Sequence, residues 1–167
     1  MLLTGTHPRT LDDKKRLALP KRVREQLGKI RQLYVTPGAD QTLWLYDPRG
    51  LENLIRGISE GAIRGKYAIT GSIAANRVAP SAPPRLAMLY VDNVGSAAAA
   101  LKIRPTETGA NVMLLAPFDD VVFERTWKDG GLTLVAPSQA AVDLLTSPGR
   151  APSEAEAILE RLAGTKP

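Results

Sequence analysis

The residues best suited to chemistry lie in one short stretch. Lys14, Lys15 and Arg16 are followed within a few positions by Lys21, Arg22 and Arg24, and Arg9 precedes them. Residues 1–31 hold nine Lys/Arg against three acids, a balance of +6, while the other 136 residues hold 13 basic and 14 acidic side chains, a balance of −1. The net charge of +5 is therefore an N-terminal property. Positive charge concentrated in this way favours a polyanion, and the commonest one is nucleic acid. Arg16, with Arg9, is the candidate for reading bases, because an arginine fork donates bidentately to guanine O6 and N7 in the major groove. Lys14, Lys15, Lys21, Arg22 and Arg24 are candidates for phosphate contacts that set register. A plain solvated basic face is the competing reading that charge alone allows.

Other chemistries are less well served. Asp12 and Asp13, beside three cations, read as local ion partners or a turn-forming Asx residue and not as metal ligands. His7 lacks a cysteine or a serine–acid context and is not expected to be catalytic. The chain has no cysteine and one histidine, which removes disulfides, thiol nucleophiles and sites built on several imidazoles. Thr70, Gly71 and Ser72, with Asp92 at a strand end and Asp119 and Asp120 in a loop, supply the ingredients of a nucleotidyl-transfer site: a Gly-Ser turn for phosphates and carboxylates for a cation. Those carboxylates are not spaced to converge, so the plainer reading makes Gly71 a helix entry, Ser72 a cap and the acids turn residues. No enzyme activity and no cofactor are expected. No run approaches about 18 apolar residues, and Met1-Leu2-Leu3 gives way at once to polar residues, so neither a membrane span nor a signal peptide is expected. A cytoplasmic, nucleoid-associated protein is the expectation.

Several elements must position these residues. Leu17 and Leu19 alternate with Arg16 and Ala18 as in a short strand, ended by Pro20. A helix is expected over 21–27, with Pro20 near its first position and Gly28 as its stop. Apolar runs at 33–35 and 43–46 predict a β-hairpin with a longer loop. Asp47 and Pro48 predict the start of a helix whose Leu51, Leu54, Ile55 and Ile58 form one apolar face. Glycines at 57, 61 and 65 suggest a crossing into a second domain. There, helices are expected at 70–78, 96–101 and 137–145, and strands at 86–91, 112–116 and 132–135. A last helix is expected behind a Ser153/Glu156 capping box, with Ala155, Ile158, Leu159 and Leu162 as its apolar stripe. Trp44 and Trp127 read as core or interface aromatics.

Two resemblances sharpen this reading. Gly5-Thr6, Leu11-Asp12-Asp13-Lys14-Lys15-Arg16-Leu17-Ala18-Leu19-Pro20 and Arg22-Val23-Arg24-Glu25-Gln26-Leu27 resemble the N-terminal repeat of the MraZ transcriptional regulators, relatives of AbrB-type swapped-hairpin DNA-binding domains. The resemblance covers roughly residues 4–56 and implies that the basic residues of an Asp-x-Lys-Gly-Arg turn contact DNA, which here are Lys14 and Arg16. Lys15 stands where that family usually has glycine; if the position needs a positive φ, Lys15 must adopt it at some cost. The family carries a second copy of the motif, and this chain has none. Residues 64–163 instead resemble the C-terminal part of AbiEi-family antitoxins, through Tyr67-Ala68-Ile69-Thr70-Gly71-Ser72, Pro84-Arg85-Leu86-Ala87-Met88-Leu89-Tyr90-Val91, Pro117-Phe118-Asp119-Asp120 and Ala136-Pro137-Ser138-Gln139. The expected fold class is α+β: a swapped-hairpin AbrB-like β domain at 1–58 followed by a mixed α/β domain at 59–167. The expected function is a sequence-specific DNA-binding transcriptional regulator acting on double-stranded DNA as a homodimer. An antitoxin whose C-terminal domain binds a protein toxin is the alternative, with a nucleotidyltransferase-like enzyme behind it.

Overall fold

The structure, a computed structural model, describes residues 10, 12–28, 34–37, 43–46, 49–80, 83–106 and 110–164, without the side chains of 26, 27, 34–37, 43–46 and 49. Two compact units make up the chain, Met1–Asp47 and Pro48–Pro167.

In the first unit, helix α1 (Lys21–Leu27) follows Pro20, which stands at its N-cap, and ends at Gly28. Gly28 takes φ +61° and returns its N–H to the carbonyls of Arg24 and Glu25 at 3.1 and 3.3 Å. A residue with a Cβ resists that left-handed turn, so glycine terminates the helix. Strands β1 (Tyr34–Pro37) and β2 (Leu43–Tyr46) pair antiparallel, Tyr34 opposite Tyr46 and Pro37 opposite Leu43. The hairpin and α1 thus fall where periodicity placed them. The strand expected over 17–19 does not form; it is reduced to a single bridging residue at Leu17, which is 47% exposed. Pro20 supplies no ladder donor and α1 begins directly after it, so the segment ends there.

The second unit is built on a mixed five-stranded sheet in the order β5-β4-β3-β7-β6. Its strands are β3 (Tyr67–Thr70), β4 (Ala87–Val91), β5 (Val112–Leu115), β6 (Trp127–Asp129) and β7 (Leu132–Leu134). Central β3 runs antiparallel to β4, with Ile69 opposite Leu89, and parallel to β7, with Ile69 beside Leu134. Helices α3 (Gly71–Val78), α5 (Pro137–Leu145) and α6 (Ala151–Gly164) pack on one another, while α2 (Arg49–Ser59) packs on α4 (Val94–Leu101) and β7. Among the described residues no helix is long and apolar enough to cross a membrane.

Helix α2 belongs with this sheet. Leu51 and Ile58 are buried in its core and Leu54 and Ile55 pack against it, so the expected apolar face is present. That burial draws the helix into the second unit, and the units meet at Asp47–Pro48 where composition suggested 58/59. The glycines that suggested a linker have other uses: Gly57 lies inside α2, and Gly61 makes the turn after it at φ +89°. Gly71 opens α3 at φ +65°, where a Cβ would stand 2.8 Å from Met88 Sδ. Strands β3 and β6 and a 3-10 turn at Asp120–Phe123 were not expected. The capping box is a correction: α6 begins at Ala151, so Ser153 lies within it. Its buried face is Ala151, Glu154, Ala155 and Ile158, while Leu159 and Leu162 are largely exposed. Glu154 is paired with Arg150 Nε at 2.8 Å. Trp127 packs against the core and donates from Nε1 to the Val135 carbonyl at 3.0 Å; the Trp44 side chain lies outside the described residues.

One carboxylate ties α5 to the sheet. Asp143 accepts from Thr70 Oγ1 at 2.5 Å, from Tyr90 Oη at 2.9 Å and from Gln139 Nε2 at 2.8 Å. Thr70 is fully buried, so its hydroxyl has no water to turn to. Replacing Asp143 by Ala strands these donors and is expected to cost about 1–3 kcal/mol; an unchanged urea midpoint would contradict the latch. Burial, then the Asp143 carboxylate, pushes the Tyr90 hydroxyl up from 10.0 to about 12. Because the folded value lies above the unfolded one, the stabilisation is complete below pH 10 and is lost as pH rises towards about 12. Ultraviolet titration should find the Tyr90 phenol ionising above 10.0, towards about 12, and in Asp143→Ala that rise should shrink without disappearing, because burial is its larger cause.

Candidate nucleic-acid interface

The N-terminal basic stretch folds as a tight hairpin turn. The Asp12 carbonyl accepts from the Lys15 N–H at 2.8 Å, and the Asp12 N–H donates to the Arg16 carbonyl at 3.0 Å. Asp12 and Arg16 therefore close a three-residue loop of Asp13, Lys14 and Lys15. Such loops combine a type I turn with a last residue in the left-handed region, and Lys15 sits there at φ +57°. The cost anticipated for a lysine in place of the family's glycine is thus real: a Cβ in that region costs roughly 1–2 kcal/mol.

Asp12 holds the turn together. Its Oδ1 accepts from the backbone N–H groups of Lys14 at 3.0 Å and Arg16 at 2.8 Å. Its Oδ2 accepts from Arg16 Nε at 2.7 Å and lies 2.7 Å from Arg16 Nη2. Asp12 is thus both the turn-forming Asx residue and the ion partner that its neighbours suggested. The Arg16 backbone N–H, then the Arg16 guanidinium, lowers the Asp12 carboxyl from its ordinary 3.8.

The turn presents its cations to solvent. Lys14, Lys15 and Arg16 are all exposed, and the Arg16 side chain keeps 72% of its surface despite the clamp. On α1, Lys21, Arg22 and Arg24 are exposed as well, with Lys21 in a long i,i+4 pair to Glu25 at 3.8 Å. An exposed pair of that length contributes little and leaves Lys21 able to turn to a phosphate. Arg9 and His7 lie outside the described residues.

The residues considered for nucleotidyl transfer have local structural partners instead. Gly71 begins α3 and Ser72 lies in its first turn. Asp92 accepts from the Lys66 backbone N–H at 3.1 Å, Asp120 pairs with Lys66 Nζ at 3.1 Å, and Asp119 caps the Val121 N–H at 2.8 Å. Among the described residues no group of three acids or histidines could hold a metal. Sequence reasoning missed the Asp143 network, whose donors Thr70 and Tyr90 come from 73 and 53 residues away and leave no local signal.

Comparison with known proteins bears on the N-terminal part of the chain. Residues 2–64 match the family described as "MraZ protein, putative antitoxin-like". A stretch of 65 residues, 39% of this chain, is 35% identical to the transcriptional regulator MraZ of Tropheryma whipplei (strain TW08/27), of which it spans 44%. The chain therefore covers less than half the length of that relative. No solved structure matches.

Substituting Lys15 by Gly removes the left-handed penalty, partly offset by the greater freedom of glycine when unfolded. The turn should gain a few tenths to about 1 kcal/mol, read as a smaller population of open turn by amide exchange at Lys15 and Arg16; faster exchange would contradict the geometry. On acidification the turn should hold above the ordinary carboxylate value of 3.8 and loosen as pH falls through the lowered value of Asp12. The Lys14 and Arg16 amide resonances, followed from neutral pH downwards, would report it.

Proposed function

We propose that this chain is a sequence-specific DNA-binding regulator of transcription, not a catalyst, that reads double-stranded DNA with its N-terminal turn. The observation that carries the reading is the exposed, Asp12-clamped turn bearing Lys14, Lys15 and Arg16, in a segment that matches the MraZ family. In this reading Arg16 contacts guanine, and Lys14, Lys15, Lys21, Arg22 and Arg24 neutralise phosphates, with Arg9 a further base contact. A two-stranded ribbon can enter the major groove, where the donor and acceptor pattern is unique to each base pair.

The active species is proposed to be a homodimer with interleaved N-terminal hairpins. A unit of fewer than 60 residues has little core of its own, and Leu17, at the foot of the turn, is largely exposed where a second copy's strand would cover it. Two-fold symmetry would offer two turns to two half-sites. Residues 48–167 serve as the regulatory or partner-binding unit. A second reading, an antitoxin-like protein that captures a toxin through this unit, is supported by exposed apolar side chains on the packed helices α5 and α6: Val142, Leu145, Leu159 and Leu162.

The test is binding of the full chain to labelled duplex from its own upstream region, against random duplex, at several salt concentrations. Arg16→Ala should abolish selective binding while leaving the thermal unfolding curve in place. Lys21→Ala and Arg22→Ala should weaken binding to every sequence and flatten the log K against log salt slope by about 0.9 each. Equal affinity for any duplex, unaffected by Arg16→Ala, would leave the stretch a charged surface only. A stable protein complex that survives Arg16→Ala would favour the antitoxin-like reading.

A further inference from the structure

The Arg16 guanidinium is already half used. Its Nε and Nη2 both meet Asp12 Oδ2 at 2.7 Å, so the edge formed by those two nitrogens is spent inside the turn. A guanidinium carries five N–H donors in a planar fork. The clamp leaves the Nη1–Nη2 edge, with two parallel donors, on a side chain that keeps 72% of its surface exposed among the described residues. Two parallel donors on one edge are what guanine O6 and N7 accept.

Asp12 divides its work between its oxygens. Oδ1 serves the backbone N–H groups of Lys14 and Arg16, and Oδ2 serves the guanidinium. We infer that Asp12 is a positioning residue for sequence readout: it fixes the rotamer and plane of Arg16 so that the free edge faces a guanine. This rests on the DNA-binding reading above. The clamp also removes side-chain freedom before binding, so less is lost when the contact forms.

The two roles of Asp12 can be separated chemically. In Asp12→Asn the amide oxygen can still accept from the Lys14 and Arg16 N–H groups, but the amide nitrogen is a donor and cannot hold Arg16. The probes are a duplex enriched from a random pool by the unaltered full chain and the same duplex with its essential guanine replaced. Asp12→Asn should bind random duplex as well or better, having lost a negative charge, yet its preference for guanine should fall about tenfold, the scale of one bidentate contact. In the Arg16→Ala background the same change should leave the preference unaltered, because Asp12 acts through Arg16. The Arg16 Nε–H resonance should exchange slowly in the unaltered chain and fast in Asp12→Asn, with the Lys14 and Arg16 backbone amides in place.

Tighter binding to every duplex with the guanine preference kept would overturn the inference, leaving Asp12 a repulsive charge, and the DNA-binding reading would stand. An equal loss of preference in the Arg16→Ala background would also overturn it. Should Asp12→Asn disrupt the turn, Arg16→Lys decides: it keeps the charge but lacks the second edge, and retention of the preference by that variant would refute the proposal. Absence of any sequence preference in the unaltered chain would remove the DNA-binding reading and this inference together.

Discussion

A carboxylate that binds two backbone N–H groups and a guanidinium within five residues leaves that segment of chain very little freedom, and Asp12 does so at the N-terminal turn. The turn needs such help. Lys15 occupies a backbone region that a Cβ disfavours, and three adjacent cations repel one another. One aspartate offsets both effects, by closing the Asx hydrogen bonds that define the loop and by placing a negative charge among the positive ones. Conformation and charge display are therefore a single arrangement, and the functional account of this chain depends on it.

The second unit uses the same chemistry for a different end. Asp143 gathers donors from β3, β4 and α5, and in doing so fastens a helix to the middle of the sheet. There the carboxylate's partners are a buried hydroxyl, a phenol and an amide. The acids that suggested nucleotidyl transfer are engaged likewise. Lys66 joins Asp92, through its backbone, to Asp120, through its ammonium, and lies 5.9 Å from the centre of the Phe123 ring. These are ties between loops and strands.

What was legible in the sequence was what is local. Gly28 stops α1 because it can take a positive φ, Pro137 opens α5, and the 3–4 spacing of Leu51, Leu54, Ile55 and Ile58 marks the buried face of α2. The strain at Lys15 could be anticipated only because a family resemblance marked that position as a glycine. What was not legible depends on partners far away in the chain. The glycines after α2 look like a linker, yet the helix is drawn into the sheet's core by contacts that no local pattern encodes. Strand β3 is only four residues long and includes Ala68, too little apolar signal to stand out, although it is the central strand. Ser153 and Glu156 have capping-box spacing, but α6 begins at Ala151, and local spacing says nothing about those extra residues.

The central claim is that DNA meets this protein at the turn of Asp12 to Arg16 and at α1. Its most direct measurement is chemical-shift mapping of the full chain titrated with a selected duplex. The account predicts that the largest changes fall on the amides of residues 12–16 and 21–25 and on the Arg16 side chain, with the five-stranded sheet little changed. Changes centred on β4, β5 or α6, with the turn unmoved, would contradict it.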